Sequence, residues 1–121
     1  MKLRVFQTIE NDVYVLTFVN DPEAISNQDR DAMQKFGEPE IDLGGAFGVS
    51  PNNYTLPNEL VKIRSDFPIR KEFDSRQTPF NTNTVTKVTA YRDAIVTKFT
   101  DAVTALRAEA DSFTKESIFN V

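Results

Sequence analysis

The sequence predicts an α+β fold, an antiparallel sheet of about five strands carrying one short helix and one long C-terminal helix. Three observations predict it. Residues 2–9 alternate with the period of a strand, and a near-continuous β-favouring run follows them after a turn. Start and stop signals bracket a short helix soon after. A helical pattern then runs through the last third of the chain. At 121 residues, one domain spanning 1–121 is expected, with enough chain to bury a core unaided. Residues 1–80 should be mainly β with a short helix at 22–36, residues 81–117 a long amphipathic helix, and residues 118–121 an apolar tail.

The first element is a hairpin. Leu3, Val5, Gln7 and Ile9 alternate with Lys2, Arg4, Phe6 and Thr8. Glu10-Asn11-Asp12 is a turn signal. Val13 to Val19 is almost wholly apolar and β-favouring, which suits a strand covered on both faces in the middle of a sheet. Asp21 can cap the short helix, Pro22 suits its first position, and Glu23 meets the positive end of the macrodipole. Ile25, Asp29, Ala32, Met33 and Phe36 mark one side, and Gly37 supplies a left-handed stop before Pro39. Ile41-Asp42-Leu43 reads as a short strand, and Gly44 to Gly48 breaks regular structure. Tyr54-Thr55-Leu56 suggests another short strand. Leu60 to Arg64 and Phe67 to Phe73 read as two more, with Pro68 placing the last at an edge.

In the long helix, Arg92, Phe99, Leu106 and Phe113 recur every seven residues. Val88, Ile95, Ala102 and Glu109 form a second row, and Val96, Val103 and Ala110 widen the stripe. Thr86, Asp93, Thr97, Thr100, Thr104 and Asp111 occupy the other face. So much Thr and Val lowers helix propensity, so packing must supply stability. A helix of about 30 residues extends roughly 45 Å, whereas a domain of this length is roughly 35 Å across. One end should therefore overhang, or the helix should lie on a partner. The heptad rows suggest helix pairing. The apolar tail Ile118-Phe119-Asn120-Val121 either returns to its own core as a strand or docks on a neighbour.

Composition narrows the chemistry. Without Cys there is no disulfide, thiolate nucleophile or zinc–thiolate site, and without His the commonest general base and metal ligand are missing. No enzyme, cofactor or metal is expected. The formal net charge of −4 opposes nucleic-acid binding. The longest apolar run, Val13 to Leu16, is far short of the roughly 18 residues needed to span a bilayer, so no membrane partner is expected. Met1-Lys2-Leu3-Arg4 lacks a following apolar run, so no signal peptide is read, and a soluble cytoplasmic chain is expected.

Two local patterns resemble binding motifs. Gly44-Gly45-Ala46-Phe47-Gly48 could bring amides to a phosphate, but its spacing fits no nucleotide loop and a bend is expected. Asn27, Asp29, Asp31 and Glu38 have calcium-loop offsets, yet Ala32 stands where the turn needs Gly, and a solvated helix face is expected. Charge is also uneven. From Asp21 to Asp42 acids dominate, whereas Lys62, Arg64, Arg70, Lys71 and Arg76 cluster later.

The expected function is therefore non-enzymatic: a self-associating structural or scaffold protein, a homo-oligomer assembling through its long helix by Val88, Ile95, Phe99, Ala102, Val103, Leu106 and Phe113. Small acidic Thr/Asn-rich chains without Cys occur among phage structural proteins, which makes the host cytoplasm or the virion an alternative setting. The competing class is a small-ligand or anion-binding module using Arg64, Arg70 and Lys71 with Gly44, Gly45 and the rest of the loop to Gly48. An enzyme ranks third, with Asp42 and Asp66 as its acid/base candidates.

Overall fold

The computed structural model describes residues 1–11, 13–43, 60–74, 84–114 and 116–120. Strands β1 (Leu3–Glu10) and β2 (Val13–Asn20) form the expected hairpin, in register from Leu3↔Asn20 to Glu10↔Val13. Its turn places Asn11 at φ 50°, a left-handed conformation that Asn tolerates better than most residues. Strand β5 (Ile69–Asp74) pairs antiparallel with the other edge of β2, giving the order β1-β2-β5. The near-continuous apolar run is thus the central strand, with Leu16 and Phe18 fully buried. Pro68 lies just before β5 and removes no ladder bond from it.

A second, two-stranded sheet pairs β3 (Glu40–Asp42) with β4 (Leu60–Lys62). The five strands among the described residues thus divide into two antiparallel sheets. Beyond β4 the chain is tied down on both sides. The Ile63 amide donates to Pro39 O at 2.8 Å, and the Asn20 amide donates to Arg64 O at 2.9 Å, joining the small sheet to the end of β2. The expected strand at Tyr54–Leu56 and the loop Gly44–Gly48 lie outside the described residues.

The short helix expected at 22–36 is two pieces. A 3₁₀ turn covers Pro22–Ala24, and helix α1 covers Asn27–Phe36. Ile25 and Ser26 between them are extended, and Ile25 is buried. Each piece has its own cap: Asp21 Oδ1 accepts from the Glu23 amide, and Ser26 Oγ from the Asp29 amide, both at 3.1 Å. Gly37 ends α1 at φ 90°, its amide donating to Met33 O at 2.9 Å.

Helix α2 (Thr84–Thr114) has 31 residues and is shorter than the expected 81–117, since Glu116 and Ser117 lie beyond its end without regular structure. Its buried positions are Val88, Tyr91, Ile95, Phe99, Val103 and Leu106. These cover 18 residues in five steps, a mean of 3.6, the period of a straight α-helix. A heptad has period 3.5 and drifts off such a face. That is why two charged residues, Arg92 and Glu109, fall within the heptad rows. The members of the true stripe at those turns are their neighbours, Tyr91 and Ala110. The stripe packs on Leu16 and Phe18 of β2, Phe73 of β5, Ile41 of β3, and Leu43 and Ile63, forming one core between helix and both sheets.

Tyr91 joins these layers. Its ring meets Phe73 edge-on, with centroids 4.9 Å apart, and its hydroxyl donates to Leu43 O at 3.1 Å. On the exposed face of α2, threonine hydroxyls bond back to the preceding turn. Thr97, Thr100 and Thr104 hydroxyls donate to the carbonyls of Asp93, Val96 and Thr100 at 2.9–3.2 Å.

Candidate association surface at the distal end of the long helix

The helix residues expected to form a seam between copies divide sharply. Val88 and Ile95 are fully buried, Phe99, Val103 and Leu106 nearly so, and Ala102 packs partly buried against the same core. Within the chain that surface is already covered, because a 3.6-residue stripe matches a straight helix lying on the core. Phe113 is different. It is 77% exposed.

The stripe itself continues past the core. From Leu106 the next two steps at 3.6 residues fall on Ala110 and Phe113. Ala110 is half-buried and Phe113 exposed. Here α2 meets α1. Phe36 of α1 meets Phe113 edge-on with centroids 5.5 Å apart. Between the two helices lies a groove of about 430 Å³, with Ala32, Phe36, Ala110 and Phe113 supplying its apolar lining and Lys35 and Arg107 among its polar residues. Beyond it the chain leaves the helix with Ile118 and Phe119 more than 80% exposed. The tail forms no strand among the described residues.

The groove has a firm wall. Asp29 of α1 is buried, and Arg107 of α2 grips it with both Nε and Nη2, at 3.1 and 2.8 Å. The Met1 amine reaches the same carboxylate at 3.4 Å. The hydrogen bonds from Arg107 hold the Asp29 pKa below the usual carboxylate value, against the opposing effect of burial. Asp29, one of the residues with calcium-loop offsets, thus serves as a bolt between helices. Among the described residues no group of three or more acidic side chains could hold a metal ion. Arg107 carried no sequence signal, because its partner is 78 positions away.

Two of the basic residues expected to bind an anion, Arg64 and Arg70, are paired with carboxylates. Arg64 makes a two-pronged contact with Asp66 at 2.9 and 2.7 Å and lies 3.9 Å from Glu38. Arg70 pairs across the sheet with Glu10 of β1 and with Glu72 at 3.0 Å. Consecutive strand residues point to opposite faces, so Lys71 projects away from Arg70. In register, Lys71 stands opposite Leu16 on the side that carries the core, while Arg70 stands opposite Thr17. Gly44 and Gly45 lie outside the described residues. Of the carboxylates considered for acid/base work, Asp66 is held below its ordinary pKa by Arg64, which makes it a poor proton carrier near neutrality. Asp42 lies at the end of β3.

The described residues therefore define an α+β protein, two small antiparallel sheets roofed by one long helix, whose distal end carries an apolar groove and an apolar tail. No helix among the described residues is long and apolar enough to cross a membrane. No protein-family model matches the chain, and neither does any curated protein or solved structure.

Proposed function

We propose that this chain is a non-enzymatic structural protein that associates with copies of itself through the distal end of α2. The observation that carries this reading is the apolar stripe running on past the core, to Phe113 at 77% exposure and then to Ile118 and Phe119 at 82% and 84%. Exposed apolar surface that gathers into a patch marks interaction sites on folded proteins. Homomeric contacts are the commonest outcome for a self-complementary patch. The setting that an acidic chain without Cys or His suits is an assembled particle, such as a phage virion, in which its work is contact rather than chemistry.

Solution mass measured by light scattering on a sizing column tests this across a wide concentration range. A defined oligomer is expected, and Phe113→Asp should lower its mass. Because Phe113 is exposed, that variant keeps its fold, as circular dichroism would show. A wild-type chain that stays monomeric at high concentration would overturn the proposal.

A further inference from the structure

The two edges of the three-stranded sheet differ in chemistry. At one edge, β5 is charged at four of its six positions, Arg70, Lys71, Glu72 and Asp74. Charges on an edge strand discourage further pairing. At the other edge, β1 runs eight residues in unbroken register with β2, contains no Pro, and carries no charge from Val5 to Ile9. Its Phe6 and Ile9 are 55% and 65% exposed. Among the described residues no strand pairs with its outer side. A long, unblocked, apolar edge of this kind is a template for another strand. We propose that β1 pairs antiparallel with β1 of a second copy about a two-fold axis at Phe6, joining two three-stranded sheets into one. This contact is separate from the one at the distal end of α2, and the two together link copies into chains.

The hairpin sets which backbone groups are available. The Asp21 amide donates to Lys2 O at 2.9 Å, so Lys2 and Asp21 form a hydrogen-bonded pair one step beyond Leu3↔Asn20. Hydrogen-bonded pairs alternate with non-hydrogen-bonded ones along an antiparallel ladder. Arg4, Phe6, Thr8 and Glu10 therefore turn their backbone groups to β2, while Leu3, Val5, Gln7 and Ile9 turn theirs outward. With the axis at Phe6, Leu3 meets Ile9 of the second copy and Val5 meets Gln7, so each outward residue of β1 faces another.

The side chains select the same register. Phe6 faces Phe6 of the second copy, and Ile9 lies against Leu3, which packs on the core of its own chain. Both exposed apolar residues of the strand thus gain apolar neighbours. At each end Lys2 stands opposite Glu10, and opposite charges on facing strands attract. Moving the axis to Gln7 sets Phe6 against Thr8 and leaves Leu3 opposite the turn at Asn11.

The absence of cysteine lets a disulfide read this register. Facing residues of a non-hydrogen-bonded pair have Cα atoms about 4.5 Å apart, within disulfide reach. The variants are made in a Phe113→Asp chain, so that the α2 contact does not contribute. There, Phe6→Cys should close to a covalent dimer under mild oxidation, whereas Gln7→Cys, facing Val5, should not. Phe6→Lys places like charges on the axis and should raise the dissociation constant about tenfold or more, with the far-ultraviolet dichroism unchanged. Mixing it with Phe6→Glu should restore pairing. Cross-linking at Gln7 in place of Phe6 would overturn the register, and so the proposal. A Phe113→Asp chain that stays monomeric at every concentration would overturn the β1 contact while leaving the α2 reading standing. An oligomer that ignores Phe113→Asp and falls apart with Phe6→Lys would overturn the α2 reading and support this one.

Discussion

At the scale of single residues, three buried polar contacts define the fold's sensitivities. Asp29 is the first. Its carboxylate has a lowered pKa when folded, so its contribution is fully present above the unfolded value near 4 and is lost as pH falls through the folded value. Asp29→Asn should therefore cost about 1–2 kcal/mol at pH 7, the half-exposed Arg107 losing part of the gain to water. In urea titrations at a series of pH values, that difference should shrink below about pH 4; a constant difference would separate Asp29 from the acid response. Tyr91 is the second. Tyr91→Phe strands the Leu43 carbonyl and should cost about 1–2 kcal/mol, read as a lower urea midpoint at unchanged m value. Asn20 is the third. It is fully buried beside the sulfurs of Met1 and Met33, and its Oδ1 has no hydrogen-bond partner among the described residues. Asn20→Leu removes that unsatisfied oxygen and should leave the midpoint equal to or above wild type.

At the scale of elements, the short N-terminal helix illustrates how local signals compete. Asp21-Pro22-Glu23 starts a helix correctly, but Ser26-Gln28-Asp29 holds a second start signal, and the chain obeys both. Ile25, in the extended link between the two pieces, is buried. Ser26→Ala should therefore cost about 1 kcal/mol, whereas Asp21→Ala, at the exposed cap of a single turn, should cost less. Thermal melts of the two variants, compared side by side, decide which cap matters. In α2, the distinction between periods of 3.5 and 3.6 residues separates a helix for pairing from a helix for roofing a sheet. Phe99→Ala should accordingly cost about 3–5 kcal/mol of folding stability as a core cavity, while Phe113→Asp should spare the fold.

For the whole molecule, the long helix packs on the sheets from Val88 to Val103 and meets α1 at its distal end through Arg107 and Phe113. If that end joins two copies, dimerisation is linked to folding, and the melting temperature should rise with protein concentration. Phe113→Asp should reduce that dependence. Differential scanning fluorimetry over a hundredfold concentration range would show it, and concentration-independent melting of the wild type would refute the linkage.

The amino-acid sequence by itself determined the elements: the hairpin and its turn, the central strand, the stop at Gly37, and a long amphipathic C-terminal helix. These depend on neighbours within a few residues, through side-chain period, capping and turn chemistry. Composition likewise determined that imidazole and thiol chemistry are absent. Only the tertiary structure decided what the apolar stripe is for. Ile95 and Phe113 look alike in sequence, yet Ile95 belongs to the core shared with the sheets and Phe113 is exposed. It also decided that Arg64 and Arg70 spend their charge on Asp66, Glu10 and Glu72, and that Asp29 bolts α1 to Arg107. Those pairings join residues up to 78 positions apart, and no local pattern records which distant charge a folded chain will bring into contact.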